Sequence, residues 1–344
     1  MKKNRRVMVA ALISSALLLA GCAKGSEAPV VDVDMSPIAA AGNDLKGNEG
    51  LVIGSITMSS EGEWYGEVMA GVRRAASDLG ITLVEQDSGG DLAAEQTQIQ
   101  KFINDKVDAI IICPITSDQT GKELMEAERA GIPAVTWNTL VDADITAAVC
   151  VDSNALGGNT GDYLVEYIRT YNLSGLKIGM ITNESYTIGV ARCDGFKESI
   201  KDLEKDGSAS VVSEILAEST DETVQAMERM LSEHPDIDVI WCWNQTSLLA
   251  CIDVANKKGM SDLIIMGTDM SVGIAEDMLD GTANILAVTT QLPYNMGYKA
   301  VVNAVQAAKG MEVDKTIIIP TFTYVKSNTE GLNQYVESHA AFAQ

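Results

Sequence analysis

Histidine is almost absent from this sequence of 344 residues, which contains His234, His339 and no other. A Ser-His-Asp or Cys-His centre would have to use His234, which has no plausible nucleophile nearby in sequence. The motifs HExxH, GxSxG and CxxC are also missing. Thr116 stands where a Walker loop before Gly121-Lys122 needs glycine, and no GxGxxG follows the first predicted strand. We therefore expect no enzyme, no nucleotide or other cofactor, and no metal site.

Cysteine is present six times, but not in a pattern that suggests a framework. Beyond Cys22, three of the remaining five lie in apolar, strand-like runs, where a free cysteine behaves as a small hydrophobic residue. These three are Cys113, Cys150 and Cys242. The odd number and the lack of CxxC spacing argue against a disulfide scaffold and a zinc site. We expect mostly buried free thiols, and one disulfide is the alternative.

Basic residues are few, with 25 Lys and Arg against 48 Asp and Glu, so the formal net charge is −23. So acidic a chain argues against nucleic acid or anionic lipid as a partner. At 46% hydrophobic residues and 344 residues in length, the chain can still bury sizeable cores, and its length suggests two domains.

The one long apolar run lies in residues 1–21, behind Lys2, Lys3, Arg5 and Arg6. This pattern predicts an export signal. It ends in Leu-Ala-Gly-Cys22, which resembles the bacterial lipobox and implies a lipidated Cys22 that anchors the chain outside the cytoplasm at the bacterial cell membrane. A plain secretory signal is the alternative. Residues 22–47 lack periodicity and predict a flexible tether.

From Leu51 onward, short β-branched runs alternate with helical patterns in two successive series. The first series includes LVIGSIT, ITLVEQD and DAIIICPI, and the second includes KIGMITN, DVIWCWN and LIIMGTD. Near-continuous apolar strands between helices predict parallel sheets that are covered on both faces. The fold class predicted is therefore α/β, with two doubly wound, Rossmann-like lobes.

Ligands of such sheets bind beyond the carboxyl ends of the strands. Four polar side chains stand at predicted strand tips, namely Asn138, Asn244, Asp269 and Gln291. Helix capping is the alternative role for each of them. In the stretch VIWCWNQTS, residues 239–247, we expect Trp241 to lie in the core and Asn244 to face a ligand, whereas Trp243 fits a pocket wall and core packing equally.

Motifs across about residues 50 to 335 resemble the type I periplasmic binding proteins, in particular the ribose-binding branch of the sugar-binding family. They include AGVRRAASDLG, DAIIICPITSDQ, VDSNALGGNTGDYL, ARCDGFKE, IIMGTDMS and LAVTTQLPYNMG. The resemblance implies two lobes joined by a three-stranded hinge, which close on a ligand and dock on the permease of an ABC importer. The implied lobes are 48–152 with 292–320 and 153–291 with 321–337. We expect the protein to act as a monomer.

The resemblance also implies a pocket. Trp64-Tyr65 would cover the sugar ring, and Asn138-Thr139 replaces an Asp-Arg pair, so a ribose-binding network is not expected. The implied ligand is a small neutral sugar or polyol-like solute. The ligand-binding residues predicted are Trp64, Tyr65, Asn138, Arg192, Asn244, Asp269 and Gln291.

Three glutamates leave the class of ligand open. Glu61, Glu63 and, in a loose alignment, Glu218 fall near the expected cleft mouth, where they would favour an amine or a nucleoside. A solvated surface is the expectation we prefer for them. An autoinducer-like furanone is a further alternative ligand, and a sensor subunit of a membrane kinase or chemoreceptor is the alternative function.

Overall fold

Two six-stranded sheets organise residues 47–342, which are the residues that the computed structural model describes. The predicted signal sequence and Cys22 lie outside the described residues, as does the predicted tether apart from Gly47. Among the described residues, no helix is long and apolar enough to cross a membrane.

The first sheet has the order β11-β5-β4-β3-β1-β2, and all its strands are parallel. Its strands are β1 (Val52–Thr57), β2 (Thr82–Asp87), β3 (Ala109–Ile112), β4 (Ala134–Trp137), β5 (Ala147–Val151) and β11 (Thr316–Ile319). The four strands in its interior are almost wholly buried apolar runs, as expected for a sheet covered on both faces.

The second sheet has the order β12-β10-β9-β8-β6-β7 and repeats the same arrangement. Its strands are β6 (Leu176–Thr182), β7 (Ala209–Leu216), β8 (Val239–Cys242), β9 (Ile264–Thr268), β10 (Asn284–Thr290) and β12 (Phe322–Val325). Only the edge strand β12 is antiparallel, and it pairs with β10. The predicted fold class is confirmed, with two α/β lobes built on mostly parallel sheets.

Helices connect these strands and cover the sheets. They are α1 (Glu63–Leu79), α2 (Leu92–Asp105), α3 (Asp118–Arg129), α4 (Ser153–Thr170), α5 (Thr187–Asp206), α6 (Thr220–Glu233), α7 (Gln245–Lys258), α8 (Val272–Asp280), α9 (Pro293–Ala308) and α10 (Thr329–His339). Gly80 ends α1 in the left-handed conformation, as its sequence position predicts.

The chain passes from one sheet to the other after β5, after β10 and after β11. Helices α1 and α9 pack together in the first lobe, and α4 and α5 pack together in the second. The division of the chain at 152, 291 and 320 stays a prediction.

Glycine allows both helix pairs to approach closely. A Cβ atom at Gly71 on α1 would lie 2.0 Å from the carbonyl oxygen of Tyr294 on α9. In the second lobe, a Cβ atom at Gly157 on α4 would lie 1.9 Å from the carbonyl oxygen of Arg192 on α5. Both distances are far below contact, so only glycine fits. These contacts fix α1 and α5, the two helices that carry three predicted pocket residues.

Burial confirms two expectations from the sequence. All five cysteines among the described residues are free and buried. Trp241 is fully buried and stacks on Phe196 with 4.8 Å between ring centroids. Its indole nitrogen donates to Thr160 Oγ1 at 2.9 Å, which satisfies the one polar atom that it carries into the core.

Candidate functional site

A buried ion pair lies at the carboxyl end of the second sheet. Arg192, on α5, is 3% exposed, and its Nη1 donates to Asp269 Oδ2 at 2.6 Å. The same nitrogen lies 3.0 Å from the carbonyl oxygen of Trp243 and 3.2 Å from Thr268 Oγ1. Thr268 and Trp243 also bond to each other, at 2.6 Å. The guanidinium group is therefore held by the tips of β8 and β9.

Gln291 extends this network at the tip of β10. Its Nε2 donates to Asp269 Oδ1 at 3.1 Å, so both oxygens of the Asp269 carboxylate are engaged. Three of the predicted pocket residues, Arg192, Asp269 and Gln291, are thus joined by hydrogen bonds. Because the charges of Arg192 and Asp269 offset each other, the network carries no net charge and suits a neutral ligand.

Two atoms of this network lack partners among the described residues. Arg192 Nε and Gln291 Oε1 are both buried and make no hydrogen bond. An unsatisfied buried donor or acceptor costs about 1–3 kcal/mol. One is a donor and the other an acceptor, and a hydroxyl group can accept from the first and donate to the second. Hydroxyl groups therefore have the chemistry to satisfy both atoms.

Asp269 and Asn138 occupy equivalent positions in the two lobes. Each directly follows the fourth strand of its series, β4 or β9, and each has a positive φ, 65° for Asn138 and 69° for Asp269. Each donates its backbone N–H to the next strand at 2.9 Å, Asn138 to Val149 and Asp269 to Thr289. Asn and Asp adopt the left-handed conformation more readily than other residues except glycine, so this shared backbone geometry restricts which side chains fit at the two strand ends.

Aromatic side chains cluster at the tip of the first sheet. Trp64 and Tyr65 at the start of α1 pack edge-to-face with 5.0 Å between ring centroids, and Trp137 lies 6.0 Å from Trp64. Trp137 is fully buried and directly precedes Asn138, whereas Trp64 and Tyr65 are half-buried. Burial raises the pKa of Tyr65, so its hydroxyl group stays protonated at any physiological pH. The structure therefore brings Trp64 and Tyr65 together with the strand that carries Asn138.

Asn244 caps helix α7. Its Oδ1 accepts from the backbone N–H of Ser247 at 2.9 Å and from Ser247 Oγ at 2.8 Å. The side-chain oxygen of Asn244 therefore has the helix-capping role that was the alternative to ligand binding. Asn244 is half-buried and follows Trp243, whose carbonyl oxygen accepts from Arg192. The residue lies beside the network, and a role in ligand binding stays a prediction.

Tyr186 was not expected at this site. It precedes α5, is 53% exposed, and stacks on Trp243 at an interplanar angle of 23° with 6.4 Å between ring centroids. Asn183 at the tip of β6 fixes this loop, since its Oδ1 accepts from the N–H groups of Ser185 and Tyr186 at 3.0 Å. Trp243 donates its indole N–H to the carbonyl oxygen of Ala217 at 3.1 Å and supports the exposed ring. The sequence signal that could have identified Tyr186 is an aromatic residue a few positions after the end of a strand.

The two lobes touch where the predicted pocket residues lie. Glu63 Oε1 on α1 accepts from the N–H of Val272, the first residue of α8, at 2.9 Å. Glu63 directly precedes Trp64, and Val272 shortly follows Asp269. This hydrogen bond brings the start of α1, which carries the aromatic pair, next to the segment that follows Asp269. The expectation of a solvated surface holds for Glu61 and Glu218, which are exposed, and is wrong for Glu63.

Two lobes with mostly parallel sheets, joined by three connections and carrying polar residues at their strand ends, define the architecture of a type I periplasmic binding protein. A family model described as a periplasmic binding protein domain matches residues 53–312. The chain belongs to this family, and the predicted membership in its ribose-binding-like branch is confirmed.

Relatives support this placement over most of the chain. The ABC transporter periplasmic-binding protein YphF of Escherichia coli K12 is 26% identical over 298 residues, which cover 84% of this chain and 89% of the relative. The D-apiose import binding protein of Actinobacillus succinogenes is 26% identical over 268 residues, covering 77% of this chain and 84% of the relative. These relatives are binding proteins and not enzymes.

A solved structure shares the fold. The binding protein of the arabinose ABC transporter of Shewanella sp. ANA-3, bound to L-arabinofuranose, superposes with a TM-score of 0.74 at 22% identity. The alignment covers 85% of this chain and 97% of that one.

Proposed function

We propose that the protein captures a small neutral sugar or polyol between its lobes and delivers it to the permease of an ABC importer. The observation that carries this proposal is the Arg192–Asp269–Gln291 network, with a buried donor and a buried acceptor left over. The relatives named above, which include an import binding protein for D-apiose, support the same class of solute.

The pocket that we propose has two walls. Trp64 and Tyr65 supply apolar faces that cover the ring of a sugar. Arg192, Asp269 and Gln291 bind its hydroxyl groups from the other lobe, and Asn138 and Asn244 add amide groups at the rim. The three connections after β5, β10 and β11 serve as the hinge.

A cationic ligand fits the site less well than a neutral one. Asp269 is already paired with Arg192, and Glu63 already accepts from Val272. A neutral solute needs only the two unpartnered atoms and the aromatic faces, and it leaves both contacts intact.

A thermal-shift screen of the purified protein tests the proposal. The panel contains pentoses, hexoses, furanoses, polyols, nucleosides and amines. A ligand at 100 times its Kd stabilises the protein by about 2.7 kcal/mol, which is easily measured. We expect a sugar or polyol to raise the Tm. A nucleoside or an amine that raises the Tm, with no effect of any sugar or polyol, would show that the assigned solute class is wrong.

We also propose that the mature protein is anchored through a lipidated Cys22. Mass spectrometry of the chain extracted from membranes tests this proposal. The expected N-terminal residue is an acylated Cys22, and Cys22→Ser should release the protein from the membrane fraction. An unmodified N-terminus elsewhere would favour a plain secretory signal.

A further inference from the structure

Helix α1 presents two carboxylates to the other lobe. Glu63 and Glu67 lie one helical turn apart and so share a face of α1. Glu63 Oε1 accepts from the N–H of Val272 at 2.9 Å, and Glu67 Oε1 lies 3.3 Å from His339 Nε2. Val272 begins α8 and His339 ends α10, and these two helices pack on each other. Both contacts therefore cross between the lobes.

The contact of Glu63 is made with the positive end of a helix. The first N–H groups of a helix have no partner within it, and the aligned peptide dipoles favour an anion there. Ser271 Oγ accepts from Ile274 N–H at 3.2 Å, and Glu63 accepts from Val272 N–H. Because α8 begins shortly after Asp269, this bond ties the start of α1, with its aromatic pair, to the segment that carries the Asp269 carboxylate.

The contact of Glu67 is an ion pair when His339 carries two protons. His339 Nδ1 lies 2.9 Å from the carbonyl oxygen of Tyr335, and Nε2 faces the Glu67 carboxylate. The Tyr335 carbonyl and an ionised Glu67 carboxylate are both acceptors, so the doubly protonated ring donates to each of them. Ser338 Oγ also lies 2.8 Å from Nδ1. Both His339 and Glu67 are 4% exposed, so water does not screen the pair.

The surroundings of His339 favour its charged form. Burial alone would lower the pKa of His339, but the hydrogen bond and charge of Glu67, the carbonyl of Tyr335 and the charge of Glu63 raise it above its ordinary value. Tyr335 stacks on the imidazole ring with 3.8 Å between centroids, and Tyr324 on β12 packs against Tyr335. Burial raises the pKa of both phenols, so they stay neutral and add no charge.

We propose that Glu63 and Glu67 are positioning residues for ligand capture, which form a two-point clasp between the lobes with α8 and with His339. The inference rests on the proposed function, since the clasp aligns the two walls of the pocket. Neither residue needs to touch the ligand. Closing the lobes forms both contacts, and opening them exposes both carboxylates and the imidazole to water.

The clasp makes closure depend on pH with a definite sign. The pKa of His339 is raised in the closed form above the ordinary histidine value of 6.5. Its contribution to the stability of the closed form is therefore fully present below that ordinary pKa. The contribution is lost as the pH rises through the higher pKa of the closed form. Each unit by which closure raises this pKa weakens ligand binding about tenfold between acidic and alkaline pH.

Calorimetric titration of the purified full chain, with whichever of D-ribose, D-apiose and L-arabinose binds, measures this dependence between pH 5.5 and 9. In the wild type, Kd should rise as the pH rises over this range. In Glu67→Gln and His339→Gln, affinity at pH 6 should fall and the rise in Kd should disappear. Glu63→Gln should weaken binding at every pH and keep a reduced rise, because its partner is a backbone N–H and its charge is only one of the causes that raise the pKa of His339. Glu233→Gln, which breaks an exposed ion pair within α6, is the control and should match the wild type.

Small-angle X-ray scattering of the ligand-free chain separates the two proposals. The radius of gyration of the wild type should increase from pH 6 to pH 9, and that of Glu67→Gln should be large at both values. If no sugar binds but this expansion occurs, the proposed function fails and the clasp stands. A pH dependence of Kd or of scattering that Glu67→Gln and His339→Gln both retain would overturn the clasp.

Discussion

Removing the Asp269 carboxylate should weaken ligand binding and should also lower the stability of the unliganded protein. In Asp269→Ala, the Arg192 guanidinium stays buried without its partner, with only the Trp243 carbonyl and Thr268 Oγ1 as acceptors. Removing one partner of a buried ion pair costs about 3–5 kcal/mol. At about 2–4 °C per kcal/mol, the Tm of the unliganded protein should fall by about 10 °C.

The sequence alone suggested a different outcome for the same variant. Without knowledge of the Arg192 contact, Asp269→Ala is expected to abolish binding and to leave the unliganded Tm almost unchanged. The structure revises this expectation, because Asp269 neutralises a buried charge in addition to its proposed role in ligand binding. Differential scanning calorimetry without ligand measures the first role, and isothermal titration with the sugar that the screen identifies measures the second.

A double variant separates the two roles. Replacing a buried ion pair by apolar side chains is often neutral or stabilising, so Arg192→Met combined with Asp269→Leu should recover part of the lost Tm, with the positive φ at this position limiting the gain from leucine. Binding should stay absent, because the groups that bind hydroxyls are gone. Asp105→Ala, which breaks an exposed pair with Lys101, is the control and should change stability by less than about 0.5 kcal/mol. Asp269→Ala with wild-type affinity, or with an unchanged Tm, would refute the reasoning.

Three further variants or reactions probe other parts of the account. Tyr186→Ala should weaken binding by about 0.5–1.5 kcal/mol at nearly constant Tm, measured by titration, while the equally exposed Tyr171→Ala leaves the Kd unchanged. Gly157→Ala should lower the Tm strongly, because its Cβ atom would lie 1.9 Å from a carbonyl oxygen of α5, whereas Gly66→Ala has open space and should raise stability by up to about 1 kcal/mol. Burial raises the pKa of Cys113 to about 12, so mass spectrometry should find it unmodified by a thiol reagent until the protein unfolds. Labelling of the folded protein would contradict that burial.

The fold was predictable because its signals are local and repeated. Apolar runs such as DAIIICPI and LIIMGTD alternate with amphipathic helices, and parallel sheets require that pattern. The polar residues at the strand tips followed from the same pattern, since ligands bind at the carboxyl ends of such strands. Arg192, Asp269 and Gln291 were named on this basis together with the family resemblance, and the structure joins them by hydrogen bonds.

Contacts between lobes were not predictable in this way. Glu63 and Glu67 look like an ordinary acidic first turn of a helix, and His339 looks like a residue of a C-terminal helix. Their partners lie more than 200 residues away in sequence, as for Glu63 and Val272. No periodicity encodes such a distance, and only the positions of three connections between the lobes bring the groups together. The positive φ of Asn138 and Asp269 could not be predicted either. An Asn or Asp that follows a strand can equally be the cap of the next helix, which has a negative φ.

A crystal structure with the sugar or polyol identified by the screen tests the central claim most directly. It should place hydroxyl groups within hydrogen-bonding distance of Arg192 Nε and Gln291 Oε1, the two buried atoms of the Arg192–Asp269–Gln291 network that lack partners among the described residues. The ring should lie against Trp64 or Tyr65. A ligand bound elsewhere, with both atoms still unpartnered, would contradict the account.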